Sequence, residues 1–105
     1  MSGIETAILK RVMLEASRLG ATVWRNNVGA YKDKTGRLVT YGVCNPGGAD
    51  LIGIYKGRFL AIEVKAPGNN PTGPQRRFLD HVERSGGIAI VCDDEKNLAS
   101  VLNAL

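Results

Sequence analysis

Two apolar runs, Leu51 to Tyr55 and Phe59 to Val64, are separated only by Lys56-Gly57-Arg58. Runs this short, joined by a glycine-containing link of three residues, have the spacing of a β-hairpin. The open end of that hairpin is charged. Gly47-Gly48-Ala49-Asp50 leads into the first run, and the second ends in Ile62-Glu63-Val64-Lys65. Successive side chains of a strand face opposite ways, so Glu63 and Lys65 share a face while Val64 points to the other. Pairing of the runs carries Asp50 toward Glu63, with Lys65 beside them.

Two carboxylates at roughly 5 Å in an effective dielectric near 20 repel by about 3 kcal/mol. A divalent cation reverses that sign, and hard oxygen ligands suit Mg²⁺ or Mn²⁺, which bridge to substrate phosphate. An ammonium alongside can orient an attacking water and stabilise phosphate charge. The same triplet also fits a plainer reading, in which Glu63 and Lys65 form a same-face ion pair and Asp50 ends a turn.

The chain of 105 residues is expected to form one domain with a single modest core. No apolar run approaches the ~20 residues of a membrane span, and charges at Glu5, Lys10, Arg11 and Glu15 break up the N-terminal stretch, against a signal peptide. Cys44 and Cys92 lack metal or redox spacing and are expected to be reduced core residues of a cytoplasmic protein. Net charge is +4, unevenly spread: residues 1 to 92 hold 13 basic and 7 acidic groups, and the tail is acidic. That balance favours a polyanionic partner.

Ser2-Gly3-Ile4-Glu5 matches a capping box opening a helix to Leu19, with Ile8, Leu9, Val12, Met13, Ala16 and Leu19 in one sector. Glu5 falls inside that sector, either as the capping partner of Ser2 or as a further acid reaching toward Asp50 and Glu63. Ala21 to Asn26 reads as a strand, Val28 to Arg37 as a loop, and Leu38 to Val43 as a strand or hairpin arm. Around the loop lie Trp24, Arg25, Asn26, Asn27, Tyr31, Lys32, Lys34, Arg37 and Tyr41. Cations interleaved with aromatics suit phosphate contacts and base stacking, and are also how small domains stay soluble.

Ala66 to Pro74 is all turn formers, and Pro74 suits the first position of a helix running through Gln75 to Ser85. Gln75 shares a face with Leu79 and Val82, one loop from Lys65. Arg76 and Arg77 face solvent or a phosphate. Ile88 to Cys92 has the continuous apolar character of a strand buried on both faces, and Asp93 or Asp94 caps a last helix to about Ala104. His81 is expected mid-helix at the surface.

The order of elements, the Asp opening one strand and the Glu-Val-Lys ending the next resemble the PD-(D/E)XK nuclease superfamily. Within it the chain is most similar to the VRR-NUC (virus-type replication-repair nuclease) domains, on Glu5, Gly47 to Asp50, Glu63 to Lys65 and Gln75. Ala49 stands where that signature has proline, which bears on turn rigidity more than on chemistry. The resemblance implies an α/β fold with a restriction-endonuclease-like αβββαβα core, a mixed central sheet flanked by helices, in a stand-alone domain of the kind phages encode. It further implies a Mg²⁺- or Mn²⁺-dependent endodeoxyribonuclease with Asp50, Glu63 and the Val64 carbonyl on the metal. On the same resemblance Lys65 would position the attacking water, Glu5 would add an outer acid, and Gln75 would orient Lys65 or a phosphate. Arg25, Asn26, Tyr31, Lys32, Lys34, Arg37 and Arg76 are the expected DNA contacts. A homodimer acting on branched DNA such as a four-way junction is the expected assembly, in the cytoplasm of a bacterial or phage-infected cell. A DNA-binding module that keeps the fold without catalysis stays open, as does a sequence-specific nuclease of the restriction type.

Overall fold

The computed structural model describes residues 2–105. The two central runs pair as expected: β4 (Leu51–Tyr55) and β5 (Arg58–Val64) are antiparallel, with Leu51 opposite Ile62 and Tyr55 opposite Arg58. β1 (Thr22–Arg25) adds antiparallel to β4, and β6 (Ile88–Cys92) adds parallel to β5, giving a mixed sheet in the order β1-β4-β5-β6. A parallel neighbour needs a crossover, and α2 (Gly73–Arg84) supplies it.

The two faces of the sheet are covered differently because alternate residues differ in size. Leu60, Ile62 and Val64 join Leu51, Ile90 and Cys92 against α1 (Gly3–Arg18) and α3 (Lys96–Leu102), which contribute Ile8, Leu9, Val12, Ala16, Leu98 and Leu102. Each Leu, Ile and Val among them contributes about 1.5–3 kcal/mol by leaving water. Ala61, with Ala49 and Ala89, lies on the other face under Phe78, Leu79 and Val82 of α2. Small side chains there let α2 approach closely over β5 and β6. Beyond its reach Trp24, Ile54 and Phe59 are left 47%, 52% and 41% exposed.

Four expectations are corrected. The stretch from Val28 to Arg37 is not all loop: β2 (Gly29–Lys32) pairs antiparallel with β3 (Leu38–Tyr41) in a separate two-stranded sheet outside the central one. Apart from half-buried Gly29 and Val39 both strands are exposed, so no alternation betrays them. Pro74 is the second residue of α2, after Gly73. α3 starts at Lys96 and stops at Leu102, with Glu95 in the cap position making no side-chain bond while Asp94 accepts from the Lys96 N–H at 2.8 Å. Cys92 is buried, but Cys44 is exposed in the loop before Asp50, not in the core. No helix among the described residues is long and apolar enough to cross a membrane.

Candidate active site

Asp50 lies one residue before β4, and the register that sets Leu51 opposite Ile62 places it across from Glu63. Its position is fixed from both sides. One carboxylate oxygen, Oδ2, accepts from the Val64 N–H at 2.8 Å, and its carbonyl accepts from the Asn26 N–H at 2.8 Å. The preceding glycines are required by crowding. A Cβ on Gly47, whose φ is +100°, would lie 2.6 Å from the Pro74 carbonyl oxygen, and one on Gly48 would overlap the Val43 carbonyl. Ala49 is fully buried beneath α2, and its carbonyl accepts from the Asn26 side chain at 3.0 Å. The turn is therefore held without the ring of a proline.

Glu63 is the one buried charged residue of the described chain, 2% exposed. Its Oε1 accepts from Gln75 Nε2 at 3.1 Å and lies 3.8 Å from Lys65 Nζ. Oε2 is buried with no hydrogen-bond partner among the described residues. Burial, followed by the Asp50 carboxylate, pushes the Glu63 carboxyl up to about 8, with Glu5 acting the same way and Lys65 opposing. One ammonium at that distance does not offset burial and two neighbouring acids, so the plain ion-pair reading leaves the site short of positive charge.

Glu5 and Gln75 occupy the same position, N3, of capping boxes on α1 and α2. Glu5 accepts from the Ser2 N–H at 3.4 Å with one oxygen and from the Ala66 N–H at 3.3 Å with the other, so it is the capping partner of Ser2 and is also tied to the residue that follows Lys65. Gln75 accepts from the Thr72 N–H at 2.9 Å through Oε1, which turns its NH₂ toward Glu63. Its side chain meets Glu63, where Lys65 or a phosphate was expected. Thr72, which accepts from the Gln75 N–H at 3.4 Å, was missed, although Thr-Gly-Pro-Gln carries the capping-box signal.

Glu5, Asp50, Glu63, Val64, Lys65 and Gln75 line one cleft of about 240 Å³. Among the described residues no three Asp, Glu, His or Cys side chains are grouped to hold a metal by themselves. Two carboxylates, one with an orphaned buried oxygen, nevertheless fit a hard cation whose remaining positions go to backbone carbonyl and solvent. Of the expected DNA contacts, Arg25, Tyr31, Lys32, Lys34, Arg37 and Arg76 are exposed. Asn26 is a correction: its carboxamide donates to the Val43 and Ala49 carbonyls and accepts from the Val43 N–H, so it is engaged in the fold rather than offered to a base.

No protein-family model matches the chain, and no curated protein does. Among solved structures, one described as a VRR_NUC domain superposes with a TM-score of 0.66 over 97% of this chain and 97% of its own, at 21% identity. The chain has the fold of that domain.

Proposed function

We propose that this chain, with the fold of a VRR_NUC domain, is a metal-dependent DNA endonuclease. The observation that carries the reading is the Glu63 carboxylate, buried with one oxygen unpartnered beside Asp50, in a cleft that Lys65 and Gln75 also line. Asp50, Glu63 and the Val64 carbonyl would hold Mg²⁺ or Mn²⁺, which when bound supplies charge neutralisation and polarises a phosphate oxygen. Gln75 donates an N–H to Glu63 Oε1 and so orients the carboxyl group. Lys65, on the same face of β5 as Glu63, places an ammonium where it can orient the attacking water and steady the phosphate. Glu5 is the outer acid, tied to the end of β5 through Ala66. Arg25, Tyr31, Lys32, Lys34, Arg37 and Arg76 bind the DNA backbone.

Branched DNA cut by a homodimer is the preferred substrate and assembly. The uncovered strip of Trp24, Ile54 and Phe59 offers a second copy an apolar face, and two sites then cut two strands symmetrically. Cleavage of matched junction and linear DNAs with Mg²⁺ tests the activity, with Asp50→Asn and Lys65→Ala expected to lose at least about 10²-fold in rate. Wild-type rates in either variant would remove the assignment. A non-catalytic DNA-binding module is the alternative outcome: DNA binding without calorimetric Mn²⁺ binding would favour it.

A further inference from the structure

The β2–β3 hairpin leaves the core at Asn26 and returns at Val43, and its root is fastened to the turn that carries Asp50. Asn26 makes four of these bonds: its N–H to the Asp50 carbonyl at 2.8 Å, its NH₂ to the carbonyls of Val43 at 2.9 Å and Ala49 at 3.0 Å, and its Oδ1 to the Val43 N–H at 2.9 Å. Asn45 adds a fifth, from Nδ2 to the Gly29 carbonyl at 2.6 Å. Beyond this neck the two strands pack on each other and only marginally on any other element. An isolated strand pair that buries almost nothing adds little stability to set against the entropy of ordering it. Its shape is nevertheless well defined, because the Asp33 carboxylate at the tip accepts from the Thr35 N–H, the Thr35 hydroxyl and the Arg37 N–H.

The far end of this ribbon is cationic. Lys32, Lys34 and Arg37 fall within six residues, and among the described residues none of them forms an ion pair. Asp33, the one acid of the hairpin, has its carboxylate turned into the tip. A two-stranded ribbon fits the major groove of duplex DNA, about 12 Å wide, and is too broad for a minor groove of about 6 Å. The groove-sized ribbon favours duplex; the Tyr41 ring lies across the Cα of Gly29, yet Tyr31 and Tyr41 stay 56% and 50% exposed, so single strand is the competing ligand that the test separates.

We propose that the Gly29–Tyr41 hairpin is a DNA arm that enters the major groove of the duplex flanking the cut. Lys32, Lys34 and Arg37 hold the phosphates, and the Asn26–Asn45 neck sets the arm's position relative to Asp50. This last relation and the placement beside a cut rest on the nuclease reading of the cleft; the arm's engagement with duplex does not.

The test compares the unaltered protein with the Lys32→Ala, Lys34→Ala, Arg37→Ala triple variant, in EDTA so that no strand is cut. All three side chains are exposed, so equal melting temperatures serve as the check on folding. Removing three phosphate contacts lowers the slope of log affinity against log salt by about 2.7, which at 0.1 M salt is a loss on the order of 10²-fold to 10³-fold for a duplex. Dimethyl sulfate protection of guanine N7, a major-groove atom, is expected with the unaltered protein and lost in the variant. An unchanged salt slope, absent N7 protection, or an equal loss of affinity for single strands would each overturn the arm. Failure of Mn²⁺ to bind the unaltered protein, with the salt slope and protection as expected, removes the cleft's assignment and leaves the arm standing.

Discussion

Replacing Glu63 by Gln separates the charge of this site from its shape. Gln keeps the volume and can accept from Gln75 through its oxygen while its NH₂ donates to Asp50, mimicking the protonated acid. In the folded protein without metal the Glu63 carboxyl is pushed up to about 8 from an ordinary 4.5, by burial first and Asp50 second. A raised folded value means that the stabilising contribution is complete below pH 4.5 and declines as the pH rises toward 8, since the unfolded chain releases its proton first. At about 1.4 kcal/mol for each tenfold difference in proton affinity, with some loss to relaxation, the decline is about 2–4 kcal/mol. Glu63→Gln removes it, so in EDTA at pH 8.5 the variant melts above the parent by roughly 10 °C or more, and the two converge near pH 4.5. Mn²⁺ stabilises the parent increasingly as the pH rises, because the ligand must lose its proton, and does not stabilise the variant. Thermal melts at five pH values, with and without Mn²⁺, give both quantities. Parallel pH profiles for parent and variant, or equal stabilisation by Mn²⁺, would refute the reasoning.

Three further outcomes are expected. Thr72→Ala removes the cap of α2 and costs about 1 kcal/mol in denaturant melts, while Thr72→Ser restores it; a cost below about 0.3 kcal/mol would show that the capping box is not formed in solution. Gly48→Ala drives a Cβ into the Val43 carbonyl, so the turn must open; a loss of about 2 kcal/mol or more in stability, with weakened Mn²⁺ binding by calorimetry, is the signature. Leu60→Ala, at a side chain with no exposure in the principal core, costs about 2–5 kcal/mol, and a smaller loss in thermal melts would mean that the core repacks there.

The central strand pair was legible because its chemistry is redundant. A continuous apolar run, a glycine link and charges at one end all specify the same hairpin, and pairing alone then sets Asp50 across from Glu63. α1 was readable for the same reason, from its capping box and apolar sector, and α2 from Pro74 and its apolar face although its Thr72 cap was missed. The β2–β3 hairpin was not, since nearly all of its side chains are solvated and periodicity reports burial rather than pairing. Its one usable signal was Asp33-Lys34-Thr35-Gly36, where Asp33 accepts from the residues after it and Gly36 has φ of +83°. Asn26 was misread because a polar residue between a cation and a glycine loop looks the same in sequence whether its amide meets a base or a backbone. Gln75 was placed near the site, but its partner depended on which end of its amide the Thr72 N–H captured.

The location of the cleft follows from how the chain is wound. In an antiparallel pair the start of β4 lies beside the end of β5, so Asp50 and Glu63 meet at one edge without any long-range design. The crossover into parallel β6 leaves from that same end, which sets the first turn of α2 above it, and α1 begins there on the opposite face. Two helices thus open toward one point from either side of the sheet, and each uses its third residue twice. Glu5 closes the box with Ser2 and reaches Ala66; Gln75 closes the box with Thr72 and reaches Glu63. A side chain tied at both ends has little rotamer freedom left, so the cleft's walls are ordered before any ligand arrives, which lowers the entropic cost of binding. The N-terminal ends of both helices also carry partial positive charge, favouring carboxylates and phosphate alike. Local helix chemistry and strand topology therefore converge on the same few ångströms, where Oε2 of Glu63 is, among the described residues, the one buried side-chain N or O atom without a hydrogen-bond partner.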